Sequence, residues 1–262
     1  YIIERGYMSS LLRTFIYSIL LCTLQMATSA LGDNSMKVCV EGAYPPFSFI
    51  TGDGELTGFD IDFAHEACAA MGYDCIMVKT GWEAMIPSLK FNRCAMIVAS
   101  MSITDDRKKH IDFSDPYYYT DSVFVGSSEK FIYEDIIDYT DLKIGVQGGS
   151  VHQFYIETYY PNTKPILYQT QNDMDHDLRI GRIDLIFTEM IQVRSSLLRN
   201  DQDKFMIIGE KHRGGVLGNG QGIAVRKGDV GLLNKVNNII DRMQQDGTLQ
   251  ELNDKYFDFN IL

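Results

Sequence analysis

Short apolar runs alternate with amphipathic stretches along most of the chain. An uninterrupted apolar run of about four to eight residues predicts a strand buried on both faces, and apolar positions spaced three and four apart predict a helix with one buried side. Strands are predicted at 36–40, 75–79, 95–100, 143–146, 165–168, 184–188, 205–208 and 223–226. Helices are predicted at 60–71, 82–91, 150–159, 173–180, 190–198 and 231–245.

The order of these elements repeats. Strand, helix and strand follow one another in residues 36–100, and the same order returns in residues 143–198. Such alternation predicts parallel sheets covered by helices. An extended stretch at 117–126 and a glycine-rich crossing at 214–222 connect the two series, without a long linker rich in Pro or Ser. We therefore predict an α/β fold of two doubly wound lobes with a cleft and a hinge between them.

The first thirty residues have the pattern of a secretory signal peptide. From Met8 the chain carries one basic residue, Arg13, then an apolar run at 14–26 and small residues at 27–30. The run is short for a membrane span, which takes about 20 residues, so we expect cleavage near residue 30. For residues 1–7 two interpretations stay open: a translated extension, or a reading frame that begins too early.

Composition and charge narrow the class of partner. The chain has 262 residues, 45% hydrophobic and 23% charged, which is ordinary for a folded globular protein. Its formal net charge of -11 would repel nucleic acid and anionic membrane surfaces. A cationic ligand would be attracted, so we expect a small-molecule partner and no nucleic acid.

Export makes disulfides plausible for the cysteines that follow the leader. Cys68 falls in the last turn of a predicted helix that stops at Gly72, and Cys75 opens the next predicted strand. A Cys68–Cys75 bridge would join the helix end to the strand, and two free buried thiols are the alternative. Cys39 and Cys94 each lie in or beside an apolar run, where we expect buried thiols that act as small hydrophobic side chains.

Motifs for catalysis and metal binding are incomplete. His65 and Glu66 begin a zinc-binding helix pattern, but Ala69 stands where the second histidine is needed. Asp173 begins a pattern similar to a calcium loop, yet Leu178 occupies the position that requires Gly. The glycine-rich crossing precedes a strand rather than a helix, so it predicts no phosphate cradle. We predict no catalytic residue, no metal site and no cofactor.

Polar groups follow two predicted strands at their carboxyl ends, where open α/β sheets bind ligands. Ser100, Ser102 and Arg107 follow the strand at 95–100, and an Arg can hold a carboxylate through two hydrogen bonds. In the second series, the segment from Gln147 to Ser150 ends a strand and begins a helix, whose N-terminus also favours an anion. Together these groups predict a site for a small carboxylate.

A set of motifs spread over residues 36–262 carries a resemblance to a known family. The motifs are Tyr44-Pro45-Pro46-Phe47, Gly58-Phe59-Asp60-Ile61-Asp62, Ile86-Pro87-Ser88-Leu89, Ser102-Ile103-Thr104-Asp105 with Arg107, Phe113-Ser114-Asp115-Pro116-Tyr117, the stretch 145–150, Asp246-Gly247-Thr248 and Lys255-Tyr256-Phe257. They resemble the polar amino-acid binding proteins of ABC importers, solute-binding family 3, which have the type II periplasmic binding protein fold. Within that family the chain is most similar to the lysine/arginine/ornithine-binding and histidine-binding proteins, which carry a short disulfide matching Cys68 and Cys75.

The resemblance implies how an amino-acid backbone would be bound. Arg107 would hold the α-carboxylate, together with Ser102 and with N–H groups near Ser102 and Val151. Ser100 would accept a hydrogen bond from the α-ammonium group, and Glu189 would neutralise its charge. The family usually has Asp in place of Glu189 and often Thr in place of Val151, and Ala99 replaces a Ser.

The ligand side chain would lie between two aromatic rings. The resemblance places Tyr44 and Trp82 on either side of it and Glu41 at its distal end. Aromatic faces suit a guanidinium or alkyl-ammonium group, and a carboxylate beyond them favours a cation. We therefore expect a basic L-amino acid, arginine first and then lysine, ornithine or histidine. The remaining predicted ligand-binding residues are Met101, Gln147 and Ser150.

The resemblance also implies a periplasmic protein that delivers its ligand to the membrane permease of an ABC importer, as a monomer. Its mechanism would be hinge closure over one L-amino acid. We expect lobe 1 to comprise 36–119 and 223–262, lobe 2 to comprise 120–222, and the hinge strands to lie near 119–126 and 217–223.

An enzyme is the alternative. Cyclohexadienyl dehydratases, which act on prephenate or arogenate, share this fold, and a buried Glu189 with a raised pKa would be the candidate general acid. Glu41 argues against this alternative, because prephenate carries two carboxylates that a second acidic group would oppose.

Overall fold

The predicted strands assemble into two separate five-stranded sheets. The computed structural model describes residues 34–131, 139–201 and 203–262, so the predicted leader at 1–30 lies outside the described residues. The strands are β1 (Ser35–Val40), β2 (Ala43–Tyr44), β3 (Ser48–Ile50), β4 (Leu56–Thr57), β5 (Asp74–Lys79), β6 (Met96–Ile97), β7 (Ile111–Tyr118), β8 (Ser122–Ser127), β9 (Ile144–Gln147), β10 (Ile166–Tyr168), β11 (Leu185–Glu189), β12 (Phe205–His212) and β13 (Gln221–Arg226).

Helices cover both sheets. They are α1 (Phe59–Met71), α2 (Met85–Lys90), α3 (Asp105–Lys108), α4 (Val151–Tyr159), α5 (Gln171–Arg179), α6 (Met190–Ser195), α7 (Leu197–Asn200), α8 (Val230–Asp246) and α9 (Thr248–Tyr256), with single 3₁₀ turns at Trp82–Ala84 and Gly215–Leu217.

Each large sheet draws its strands from one part of the chain, except for β13. Sheet 1 has the order β5-β1-β6-β13-β7, and sheet 2 has the order β10-β9-β11-β8-β12. The chain therefore leaves sheet 1 after β7, builds sheet 2, and returns to sheet 1 with β13. A third, small sheet, β2-β3-β4, lies between β1 and α1 in the sequence.

The α/β class is as predicted, but the expectation of parallel sheets is wrong in part. Strand β1 runs parallel to β6, and β9 runs parallel to β10 and β11. In contrast, β13 is antiparallel to β6 and β7, and β8 is antiparallel to β11 and β12. Both β8 and β13 enter their sheet directly from the other sheet, without the crossover helix that joins parallel neighbours.

Helix α1 shows why local sequence predicts an element well. Its predicted stop at Gly72 is confirmed, because that glycine adopts a left-handed conformation with φ of 78° and its N–H caps the carbonyl of Ala69. Phe59, Phe63 and Ala67 lie on its buried face. They pack in the main apolar core between α1, α8 and sheet 1.

The predicted helix at 82–91 is divided in the structure. A 3₁₀ turn spans Trp82–Ala84, and α2 begins at Met85. Pro87 accounts for the break, because it has no N–H to donate to the carbonyl of residue 83 and its ring crowds that carbonyl in a continuous helix. The turn brings Trp82 to the same side of sheet 1 as the ends of β1 and β6.

Two disulfides link the first half of the chain. The predicted Cys68–Cys75 bridge is confirmed. The expectation of free thiols at Cys39 and Cys94 is wrong, because these residues form a second disulfide with a Cα–Cα distance of 5.7 Å. Cys39 lies on β1 and Cys94 lies two residues before β6, the neighbouring strand, so sheet pairing brings the two thiols together.

The two bridges should differ in their contribution to stability. They close chain separations of 55 and 7 residues, for which loop entropy gives about 4 and about 2.5 kcal/mol. Urea unfolding of Cys39→Ala/Cys94→Ala should therefore show a larger loss of unfolding free energy than the matched pair Cys68→Ala/Cys75→Ala. An equal or larger loss in the second pair would contradict the assignment of Cys39–Cys94 as the major covalent constraint.

Candidate functional site

One cavity lies between the carboxyl ends of strands from both large sheets. The space that it encloses is about 20 Å³, enough for about one water molecule with the side chains in these positions. The residues that line it are Glu41, Tyr44, Trp82, Ala99, Ser100, Ser102, Arg107, Gln147, Ser150, Val151, His152, Gln171, Thr188 and Glu189. Sheet 1 and its connections contribute the first seven, and sheet 2 and its helices contribute the rest.

The two sides touch across the cavity. The side-chain amide of Gln147, at the end of β9, donates a hydrogen bond of 2.6 Å to Oε1 of Glu41, which directly follows β1. Both side chains are buried. The residues that follow sheet 1 and those that end sheet 2 therefore enclose the cavity together.

Arg107 provides a fixed positive charge at one end. It lies on the short helix α3, where the hydroxyl of Thr104 caps its backbone N–H at 3.2 Å. Its Nη1 donates to the carbonyl of Ser102 at 2.9 Å, and its guanidinium carbon lies 5.2 Å from the ring centroid of Trp82. Burial lowers the pKa of Arg107 to about 10, so the side chain is a cation at neutral pH. Its remaining N–H groups can bind a carboxylate.

The N-terminus of α4 lies at the same cavity. Ser150 caps this helix by accepting a hydrogen bond of 3.3 Å from the backbone N–H of Gln153, and Val151 is its first residue. A helix of nine residues presents its positive dipole end and its first N–H groups to whatever lies before it. With Arg107, this end of the cavity favours an anion.

Two acidic side chains, Glu41 and Glu189, also line the cavity. Burial raises the pKa of Glu189 to about 8 and that of Glu41 to about 7. The hydroxyl of Tyr44 lies close to Thr188 and Glu189, and burial raises its pKa well above the usual value. Two carboxyl groups that are costly to ionise without a partner make this part of the cavity a site for cations.

Asp60 does not line the cavity but hydrogen-bonds to Ser100, which does. It accepts hydrogen bonds from the hydroxyls of Tyr117 at 2.6 Å and Ser100 at 2.9 Å, and burial raises its pKa to about 7. Ser100 has a φ of 50°, a left-handed conformation that costs about 1–2 kcal/mol for a residue with a side chain. The hydrogen bond to Asp60 fixes this turn at the end of β6. Asp60 is part of a motif that carried the resemblance, but this role was not predicted.

Ten of the eleven predicted ligand-binding residues line the cavity, and Met101 does not. Ser100 and Ser102 face the cavity, whereas the side chain of Met101 packs in the apolar core beneath Trp82. Alternation along an extended segment explains the difference, since neighbouring side chains point to opposite faces. The carbonyl of Met101 accepts a hydrogen bond of 3.0 Å from the N–H of Gly222, which holds the segment in this orientation.

Sequence reasoning missed three polar residues of the cavity wall. His152 follows Val151 on α4, and its Nε2 lies 3.0 Å from the hydroxyl of Ser122. Burial lowers the pKa of His152 to about 3, so the ring is neutral. Gln171 accepts a hydrogen bond of 2.8 Å from the hydroxyl of Thr188. His152 and Gln171 lie at the start of a helix and Thr188 lies near the end of a strand. These positions were the available signals in the sequence.

The described part of the chain shows neither a metal site nor a membrane span. In residues 34–131, 139–201 and 203–262, no three His, Cys, Asp or Glu side chains are grouped so that they could hold a metal ion. None of the helices described there is long and apolar enough to cross a membrane.

Two five-stranded sheets with their helices enclose a polar cavity. Residues 36–259 match the bacterial extracellular solute-binding proteins, family 3, and the chain belongs to this family. It is a binding protein rather than an enzyme, as are its named relatives.

Several proteins similar to this chain are named for the ligand that they bind. The chain is 34% identical over 245 residues to the L-arginine-binding protein of Pseudomonas aeruginosa, covering 92% of this chain and 94% of the relative. It is 35% identical to the ABC transporter arginine-binding protein 1 of Escherichia coli, covering 83% and 88%. The L-cystine-binding protein TcyJ of Escherichia coli is 32% identical, with 87% and 84% covered.

Solved structures show the same type II periplasmic binding protein fold. A Salmonella typhimurium periplasmic binding protein described for its high arginine specificity has a TM-score of 0.79 at 28% identity, with 85% of this chain and 99% of that chain covered. An ancestral arginine-binding protein bound to arginine has a TM-score of 0.78 at 30% identity, with 86% and 98% covered. An ancestral arginine-binding protein bound to glutamine has a TM-score of 0.77 at 30% identity, with 86% and 99% covered.

The buried carboxyl groups predict an unusual pH dependence of stability without ligand. The pKa of Glu189 is about 8 in the folded protein and 4.5 in the unfolded chain, so the fold favours the protonated carboxyl group. The stabilisation is complete below about pH 4.5 and is lost as the pH rises towards 8. Glu41 and Asp60, both with a pKa raised to about 7, act in the same direction.

Thermal unfolding of the ligand-free protein between pH 5 and 8 measures this effect. Glu189→Gln should be increasingly more stable than the parent as the pH rises, because it removes a carboxyl group that ionises in the unfolded chain but stays protonated in the fold. Glu66→Gln, at an exposed position of α1, is the matched control and should follow the parent. Parallel curves for Glu189→Gln and the parent would show that Glu189 does not titrate in this range.

Proposed function

We propose that the chain is the periplasmic component of an amino-acid ABC importer and binds one basic L-amino acid, arginine first and then lysine, ornithine or histidine. The observation that carries this proposal is the charge arrangement of the cavity. One buried cation, Arg107, lies at one end, and two buried carboxyl groups, Glu41 and Glu189, lie in the rest of the wall. A basic amino acid has the complementary set of one carboxylate and two cations.

The α-carboxylate of the ligand binds at Arg107. Its guanidinium is already oriented by Ser102 and Trp82, so little side-chain entropy is lost when a second partner arrives. The first N–H groups of α4, near Val151, offer hydrogen bonds from the other lobe. Binding through both Arg107 and α4 joins the two lobes through the ligand.

The α-ammonium group binds at Glu189 and Ser100. Glu189 is 4% exposed and ends β11, so its charge is desolvated unless a cation is present. The hydroxyl of Ser100 uses its hydrogen to bond Asp60, which leaves its oxygen as an acceptor.

The side chain of the ligand extends towards Glu41, between Tyr44 and Trp82. A carboxylate has about four lone-pair positions, and Gln147 uses one of those on Glu41. A guanidinium or ammonium group can therefore join the existing hydrogen bond rather than replace it. Relatives and structural neighbours that bind arginine support this choice, and the arginine-binding proteins of Escherichia coli and Pseudomonas aeruginosa cover nearly the whole chain.

Closure of the two lobes retains the ligand. We assign lobe 1 to 36–119 and 223–262, lobe 2 to 120–222, and the hinge to 119–126 and 217–223, where the chain passes between sheets. The closed form presents both lobes to the permease. We also propose that residues 1–30 direct the chain to the periplasm, the location named for the lysine/arginine/ornithine-binding relative, and that it acts as a monomer.

The dehydratase alternative does not fit this cavity. A raised pKa of about 8 at Glu189 suits a general acid, but Glu41 and Asp60 place two more carboxyl groups near the same space. A substrate with two carboxylates would need a second cation, and Arg107 is the one Arg or Lys side chain among the described residues that line the cavity. The structural neighbour that precedes a cyclohexadienyl dehydratase is itself an amino-acid binding protein.

A pair of ligands that differ only in charge tests the proposed specificity. L-citrulline has nearly the shape of L-arginine but carries a neutral urea group, so calorimetry should show at least tenfold weaker binding of L-citrulline to the parent. Glu41→Gln should reduce this preference by roughly tenfold, because it removes the carboxylate from the distal end. The control Glu66→Gln should leave it unchanged. Equal affinities of the parent for the two ligands would contradict the proposed class of ligand.

A further inference from the structure

Two neighbouring buried side chains each have an oxygen atom without a hydrogen-bond partner. Among the described residues, neither Oε2 of Glu189 nor Oε1 of Gln221 takes part in a hydrogen bond. The two side chains contact each other, since Nε2 of Gln221 donates to Oε1 of Glu189 at 3.3 Å. Each residue is only 4% exposed. Buried acceptors without partners cost free energy, and folded proteins contain few of them.

The backbone fixes Gln221 beside the cavity. Gln221 is the first residue of β13 and pairs with Ser102 through an antiparallel bridge. The neighbouring N–H of Ile103 donates to the carbonyl of Gly220 at 2.9 Å. Gln221 is therefore held next to Ser102, which lines the ligand cavity, and its side chain reaches Glu189 from the side of the interlobe crossing.

A second cavity adjoins the ligand cavity at Glu189, and each of them encloses only about 20 Å³. Glu189 and Ser102 line both cavities, and Gln221 lines the second one. The other walls are the segment between β7 and β8 and the glycine-rich crossing. Arg213 is also in this wall, but its Nε and Nη2 pair with Asp121, and it makes no hydrogen bond to Oε2 of Glu189 or Oε1 of Gln221.

A group that satisfies both Oε2 of Glu189 and Oε1 of Gln221 must supply at least two hydrogen-bond donors. One acceptor belongs to a carboxyl group, so the partner is best balanced if it is a cation. An ammonium group has three donors and no acceptor, which matches two neighbouring acceptor atoms better than a hydroxyl or an amide does. A water molecule could also donate twice, but it would not recover the free energy that ionising Glu189 costs in this buried position.

We propose that Gln221 is a further ligand-positioning residue, whose side-chain carbonyl accepts a hydrogen bond from the α-ammonium group that Glu189 neutralises. This inference rests on the proposed function. With Ser100, it gives the three N–H bonds of the ammonium group three acceptors: a hydroxyl, a carboxylate and an amide carbonyl. It also connects the ligand directly to β13, the strand by which the chain returns from sheet 2 to sheet 1.

Two ligands that differ only in the α-amino group test this role. L-arginine has that group, and 5-guanidinopentanoate is the same molecule without it. Calorimetry on Gln221→Met, which keeps the side-chain length but removes the carbonyl, should show about tenfold weaker binding of L-arginine. Binding of 5-guanidinopentanoate should stay within about twofold of the parent, because that ligand makes no bond to Gln221.

Gln192→Met is the matched control. Gln192 is also a fully buried glutamine whose Oε1 lacks a donor among the described residues, and its Nε2 donates to the hydroxyl of Ser196 at 3.0 Å. Unlike Gln221, it lines neither the ligand cavity nor the second cavity. This variant should change the melting temperature without changing the ratio of the two affinities.

Three outcomes separate the explanations. Selective weakening of L-arginine supports the role of Gln221. Equal weakening of both ligands, or no weakening of either, overturns it and leaves Gln221 a structural residue that a water molecule satisfies. If the parent binds neither L-arginine nor any other basic amino acid, the proposed function fails, and the role of Gln221 fails with it.

A second measurement applies if Gln221→Met does not fold. In the parent protein with labelled glutamine, the ¹³C resonance of the Gln221 side-chain carbonyl should shift on addition of L-arginine and not on addition of 5-guanidinopentanoate. The same shift with both ligands would contradict direct hydrogen bonding to the α-ammonium group.

Discussion

Burial of carboxyl groups without a cation beside them is the constraint on which this structure depends. Glu41 and Glu189 come from different sheets, are almost fully excluded from solvent, and have pKa values raised to about 7 and about 8. The free energy that burial costs in their ionised form is recovered when a cationic ligand pairs with them. The cavity without a cation is thereby destabilised relative to one that holds a cation, which supports the proposed preference for a cationic ligand.

The rest of the fold holds these charges at fixed positions. The hydrogen bonds of Asp60 secure the strained turn at Ser100, and the Thr104 cap secures Arg107 on a helix of only four residues. The small sheet places Tyr44 over the cavity, with its ring 5.9 Å from that of Phe47 in the aromatic core. Rigid positioning matters because a basic amino acid must find three charges at once, and groups already oriented lose less entropy on binding.

Local patterns in the sequence predicted most helices and strands, but they could not predict which distant segments pair with each other. The apolar stripe and Gly72 define α1 within one residue, because both signals lie inside the element. The antiparallel direction of β13 and the Cys39–Cys94 bridge depend on which strands become neighbours, which no local period records. Strands of two or three residues, such as β2 and β4, are also too short to show a period.

The candidate site also contains residues that were predicted from the sequence and residues that were not. Arg107, Glu41 and Glu189 were predicted through a family resemblance, and the structure brings them to one cavity. Met101 was predicted together with its neighbours Ser100 and Ser102, but of the three only Ser100 and Ser102 line the cavity, and the side chain of Met101 packs in the core. Gln221 was missed because its partner Glu189 is distant in sequence and meets it only when the chain crosses back to sheet 1.

The most direct test is a titration that follows the fluorescence of Trp82, the single tryptophan of the chain and a residue of the cavity wall. The mature protein would first be unfolded and refolded to remove ligand carried over from expression, then titrated with L-arginine, L-lysine, L-ornithine, L-histidine, L-glutamine and prephenate. We expect a saturable change at micromolar or lower concentrations of at least one basic amino acid, and weaker responses to L-glutamine and prephenate. A response to prephenate alone, or tighter binding of L-glutamine than of every basic amino acid, would contradict the assignment of this cavity to a cationic amino acid.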